Sequence, residues 1–132
     1  MFRSLLIAIS AVCLLTFGLI AQALAETPRA AAKAPASVVF LNPGFSDEPF
    51  WVGYSDFMQA AADDLGMQLE VIYGERNLPQ LLEKARSVLA RDKQPDYLIF
   101  VNEMYTAPEL LRLFADSPIK LFSLHSTLTP EQ

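Results

Sequence analysis

An α/β fold, a parallel sheet with helices on both faces built from βα repeats, follows from three features of this 132-residue sequence. Residues 38–41, 68–73, 97–101 and 119–124 are short, mostly apolar runs of strand length. Stretches of helical periodicity separate them. The connections are short, and such alternation implies parallel strands joined by crossover helices.

The first strand, Val38, Val39, Phe40 and Leu41, is continuously apolar, as a strand covered on both faces should be. A polar and aromatic loop follows, Asn42-Pro43-Gly44-Phe45-Ser46-Asp47-Glu48. It lies at the carboxyl edge of the sheet, where open α/β sheets bind ligands. A helix is expected over 50–65, with Phe50, Tyr54, Phe57, Met58, Ala61 and Leu65 on its buried stripe. Asp47 is placed as its N-cap, Pro49 fits the first turn, and Gly66 stops it. Trp51 falls off that stripe. It either leans over the loop or packs on a neighbouring helix.

In the second strand Leu69, Val71 and Tyr73 alternate with Gln68, Glu70 and Ile72. Gly74-Glu75-Arg76-Asn77 is the next loop at the same edge, and Asn77 caps a helix with Gln80 in the reciprocal position. Leu78, Leu81, Leu82, Ala85, Val88 and Leu89 make the buried face of that helix. The third strand, 97–101, is again wholly apolar and leads into Asn102-Glu103-Met104-Tyr105. Thr106-Ala107-Pro108-Glu109 has the form of a capping box. Leu110, Leu111, Leu113 and Phe114 continue the helix, and Asp116-Ser117-Pro118 breaks it. The fourth strand ends in His125-Ser126-Thr127. Thr129-Pro130-Glu131-Gln132 again has the pattern of a helix start, so the sequence is expected to be part of a longer protein.

Hydrophobic residues make up 52% of the chain, with the excess at the start. Arg3 supplies a basic n-region, the apolar run reaches Ala21, and Ala23-Leu24-Ala25 gives a small-x-small site. Residues 1–25 are therefore expected to be a cleavable secretory signal peptide. Residues 26–36, with two prolines and many alanines, form a flexible leader, and the folded lobe occupies 37–132. Cys13 is the only cysteine and sits inside the apolar run, so the exported chain has no disulfide and no thiolate metal site. The net charge is −5, and removal of Arg3 makes it one unit more negative. That excludes a basic nucleic-acid interface and opposes an anionic membrane surface.

The sequence has no phosphate-cradling G-x-x-x-x-G-K-[ST], no G-x-G-x-x-G and no G-x-S-x-G. Neither cofactor nor metal is expected, since one histidine without suitably spaced acids makes a poor ligand set. Asp47 and Glu48 offer a carboxylate pair for acid–base work, or a helix cap beside an exposed acid. Glu103 is a ligand acceptor or a solvated loop acid, and His125 a site residue or a surface one. Nothing is poised as a nucleophile with an adjacent base, so the reading is a binder and not an enzyme. Phe45, Ser46, Asp47, Phe50, Trp51, Asn102, Glu103, His125 and Ser126 all fall at one sheet edge. Hydroxyls and carboxylates suit the polar rim of a sugar-like molecule, and rings suit its flat C–H faces.

The run N-P-G-F-S-D-E-P-F-W, a helix ending D-D-L-G-M, the strand Q-L-E-V-I-Y and the segment D-Y-L-I-F-V-N-E resemble the N-terminal lobe of type 1 periplasmic binding proteins. These are the sugar-binding components of ABC transporters. The resemblance spans residues 37–127 and implies a two-lobed protein of which part of the first lobe is present. It implies a periplasmic location, a small-molecule ligand, a permease partner and a monomer at full length. Phe50 and Trp51 match the family's aromatic pair after the first strand, and Asn102 or Glu103 its polar position after the third. His125-Ser126 replaces the Asp-Arg pair of many pentose and hexose binders, which leaves the ligand open. The Pro43-Gly44 loop with Trp51 and the segment 96–100 are also similar to the periplasmic receptor for autoinducer-2, which signals to a membrane sensor kinase.

Overall fold

The computed structural model describes residues 34–125 and Leu128. The expected signal peptide, Cys13, most of the leader, Ser126, Thr127 and the terminal Thr-Pro-Glu-Gln lie outside the described residues. Four parallel strands, β1 (Ser37–Asn42), β2 (Gln68–Tyr73), β3 (Tyr97–Val101) and β4 (Lys120–Leu124), form one sheet in the order β2-β1-β3-β4. Helix α1 (Pro49–Asp64) joins β1 to β2, α2 (Leu78–Leu89) joins β2 to β3, and α3 (Ala107–Leu113) joins β3 to β4. A short 3-10 turn, Glu103–Tyr105, precedes α3. This is the predicted α/β architecture.

The order 2-1-3-4 makes the chain reverse direction across the sheet at β1. Its first crossover runs toward β2, and the next passes back over to β3. Right-handed crossovers then put α1 on one face and α2 and α3 on the other. The packing agrees. Leu81, Ala85 and Val88 of α2, with Ala107 and Leu110 of α3, bury Val39, Leu41, Leu98 and Phe100. On the opposite face Trp51, with Tyr54 and Met58 of α1, packs on Phe40, Val101, Leu69 and Val71.

Local chemistry explains the element ends. Asn77 caps α2 as expected, its Oδ1 accepting from Gln80 N at 3.1 Å. The two other caps are corrected. Asp47 does not cap α1; Glu48 occupies the N-cap position without a side-chain cap bond. Thr106 stands at the start of α3 but donates its hydroxyl to the Val101 carbonyl at 3.0 Å. Asn102 does the capping instead, its Oδ1 accepting from Ala107 N at 3.0 Å. The 3-10 turn before α3 supplies the reason: it brings residue 102, and not 106, under the first free amides.

The stripe expected on α1 is also corrected. Trp51, Ser55 and Ala62 are its buried residues, whereas Phe50, Phe57 and Leu65 are exposed at 61%, 72% and 72%. The helix is turned by one polar contact. Asn42 at the end of β1 is wholly buried, and its Nδ2 donates to Ser55 Oγ at 2.9 Å and to the Trp51 carbonyl at 3.1 Å. A buried amide without partners costs more than an exposed phenylalanine, so Ser55 faces inward.

Candidate functional site

The strand tips finish level. Asn42 pairs with Tyr73, Leu41 with Phe100, and Val101 with Leu124. The loops after all four strands therefore start at one height. The direction reversal falls between β1 and β3, the position at which open sheets form a crevice.

The β1 loop is set by its glycine. A Cβ on Gly44 would lie 1.9 Å from Trp51 Cδ1, so only glycine lets the indole slide beneath the loop. Gly44 N donates to Asn42 Oδ1 at 2.9 Å, which closes the turn. Main-chain bonds then continue past the strands: Gly74 N to Asn42 O at 2.7 Å, Arg76 N to Pro43 O at 3.0 Å and Glu75 N to Gly44 O at 3.0 Å. Gly74 suits this approach, since a Cβ there would crowd the Leu81 Cδ1 methyl at 2.7 Å and the Asn42 carbonyl at 3.3 Å. The β1 and β2 loops thus form one hydrogen-bonded unit.

A charged cluster reaches the third loop. Arg76 Nε and Nη2 donate to the two oxygens of Glu48 at 3.1 and 2.5 Å, and Nη1 donates to Glu103 Oε1 at 2.7 Å. The Arg76 fork holds the Glu48 carboxyl below its ordinary value, outweighing the opposing effect of burial, and Phe45 N adds a further bond at 3.3 Å. A general acid needs a raised pKa, so Glu48 is tuned away from that use.

Backbone strain gathers at the same edge. Glu75, Arg76, Met104, Tyr105 and His125 are the non-glycine residues with positive φ among the described residues, at 53°, 48°, 53°, 57° and 65°. All lie in the loops after β2, β3 and β4. Left-handed side-chain-bearing residues persist only where their surroundings hold them, and they concentrate at ligand-handling sites.

The expected site residues divide by role. Phe45 and Phe50 expose their rings, at 43% and 61%. Ser46 and Asp47 are exposed, and Ser46 N donates to Glu75 Oε2 at 3.3 Å. Trp51 is buried against β1 and beneath its own loop, so it neither leans over the loop nor packs on a neighbouring helix. Its ring meets His125 edge-on with centroids 6.3 Å apart, and Tyr54 bridges the two at 6.0 and 5.0 Å. His125 is thereby brought from β4 to the β1 loop. Asn102 caps α3, and Glu103 is ion-paired with Arg76. Arg76 was missed as a site residue, and Glu48, weighed as an acid–base group or an exposed acid, is its ion-pair partner. The signal for Arg76 was a lone cation between a strand tip and a helix cap.

Elsewhere, an apolar groove of about 350 Å³ lies on the sheet face beside α1, lined by Tyr54, Met58, Tyr97, Ile99, Phe122 and Leu124. It lacks the convergent polar groups that orient a hydroxylated ligand. The carboxyl edge is therefore the better candidate site, although it is open on its outer side. Among the described residues no group of three His, Cys, Asp or Glu could hold a metal ion, and no helix is long and apolar enough to cross a membrane.

A partial lobe with this sheet order and this loop-built edge is of the periplasmic-binding-protein type. The chain is similar to a solved structure, a periplasmic sugar-binding protein from Pseudomonas fluorescens, at 54% identity and a TM-score of 0.69 over 73% of this chain. It spans 29% of the length of that protein. No protein-family model and no curated protein matches the chain. The resemblance to a periplasmic binding lobe, read from the sequence, and its fold class are borne out by this match.

Proposed function

We propose that this lobe forms one wall of a solute-binding cleft, in a periplasmic protein that captures a sugar-like small molecule for an ABC importer. One observation carries the reading. The level tips of β1 and β3 put the exposed rings of Phe45 and Phe50 at the same sheet edge as the polar groups of Ser46, Asp47 and Glu103. Rings for C–H faces and fixed polar atoms for hydroxyls are the elements of carbohydrate recognition. The sugar-binding description of the similar Pseudomonas fluorescens protein supports the ligand class. Residues 1–25 would direct export as a cleaved signal peptide. The role is capture and not turnover, which accords with Glu48 being held as a carboxylate by Arg76.

The similarity of the Pro43-Gly44 loop to a quorum-signal receptor favours one competing partner, a membrane sensor in place of a permease. Genes for a permease and an ATPase beside this one support import, and a histidine kinase gene supports sensing. The ligand reading is tested by NMR titration of the chain with D-ribose, D-xylose and D-galactose at millimolar concentrations, the range suited to one wall of a cleft. Concentration-dependent shifts at Phe45, Ser46, Asp47, Glu103 and Met104 are expected. No shift with any sugar, or shifts confined to the apolar groove, would refute it.

A further inference from the structure

We propose that Arg76 is the positioning residue of this edge, a clamp whose guanidinium fixes the β3 loop to the unit made by the β1 and β2 loops. The β1 and β2 loops need no such device, since three main-chain bonds already join them. The β3 loop differs. It carries two successive left-handed residues, Met104 and Tyr105, and the side chain of Arg76 reaches it through Glu103. The same guanidinium grips Glu48 through two donors, so one planar group orients the acids of two loops. Its three contacts are directed along fixed N–H bonds, a geometry that a lysine ammonium does not reproduce. Arg76 is itself in the left-handed region, with φ 48°, held by its main-chain bond to Pro43. Its chain direction is therefore set before its side chain makes any contact.

A structural part for Arg76 in general stability is distinct from this. The two core clusters lie on the sheet faces and include neither Arg76 nor its partners. The clamp should therefore govern local opening of the loops while leaving global stability in place. The inference relies on the binding reading for the purpose of the loops. Its test uses no ligand, so the two can fail separately.

The experiment is amide hydrogen exchange, followed by NMR on the full chain. Thr106 N, which donates to the Glu103 carbonyl at 3.2 Å, reports on the β3 loop, and the strand amides Val39 and Leu98 report on the core. Arg76→Met should speed exchange at Thr106 by about tenfold, with less than about twofold change at Val39 and Leu98. Arg76→Lys should fail to restore protection. Adding Glu48→Gln or Glu103→Gln to Arg76→Met should change nothing further. Unaltered exchange at Thr106 would overturn the proposal, and so would a uniform rise across the core. Should Arg76→Met not fold, Glu103→Gln alone must speed Thr106; protection retained there would be equally fatal.

Discussion

Asn42 shows how one side chain can set the rotation of a helix. Its amide serves three partners, Ser55, the Trp51 carbonyl and Gly44 N, in a site closed to water. Asn42→Ala should cost about 3 kcal/mol in urea unfolding, because it strands a buried donor and a buried acceptor. Gly44→Ala should cost about 1–3 kcal/mol by overpacking against Trp51, and should shift the emission of the single tryptophan to the red. Glu48 gives a pH signature. Its folded pKa is lowered by Arg76, so the unfolded chain binds the proton more readily. The stabilisation is present above the unfolded value near 4.5 and is lost as pH falls through the depressed folded one. An NMR titration of the Glu48 side chain should find its midpoint below 4.5, and Arg76→Met should bring it back toward 4.5. Apart from the turn that Gly44 N makes with Asn42 Oδ1, two residues away, these contacts were not legible beforehand, since each joins positions that only the folded chain brings together.

Among the elements, what could be read was what local sequence decides. Continuous apolar runs marked β1 and β3, and the Asn77 cap is a contact between residues three apart. The buried face of α2 was legible because Leu81, Ala85 and Val88 are apolar and nothing polar lies beneath them. Helix α1 failed the same test because Ser55, and not an apolar residue, is required against Asn42. Its apolar ridge of Phe50, Phe57 and Leu65 therefore faces outward. Two substitutions measure the difference. Phe57→Glu should change stability by no more than about 0.5 kcal/mol, as at exposed sites generally. Leu81→Ala should cost about 2–5 kcal/mol, since it empties space between α2 and the sheet. Chemical denaturation of the two variants side by side checks both. Of the site, the edge itself was legible, because strand and helix alternation fixes which loops share it. The division of labour among Trp51, Asn102 and Glu103 was not, because it depends on the close approach at Gly44, on the 3-10 turn before α3 and on Arg76 crossing between loops.

For the molecule as a whole, the four-strand order has a consequence at the sheet margin. Strand β4 ends the series, and among the described residues no strand pairs with its outer side. Phe122 on it is 61% exposed and next to the apolar groove, with Lys120 the one charge along its length. The outer side of a terminal strand is a template for strand addition, and a single lysine guards it weakly. Concentrated samples of this chain should self-associate through β4. Sedimentation velocity should show the larger species receding with Phe122→Lys, and persisting with Phe57→Glu on the exposed ridge of α1. Handling the isolated lobe is thus a matter of blunting one strand, and a charge at residue 122 is where that begins.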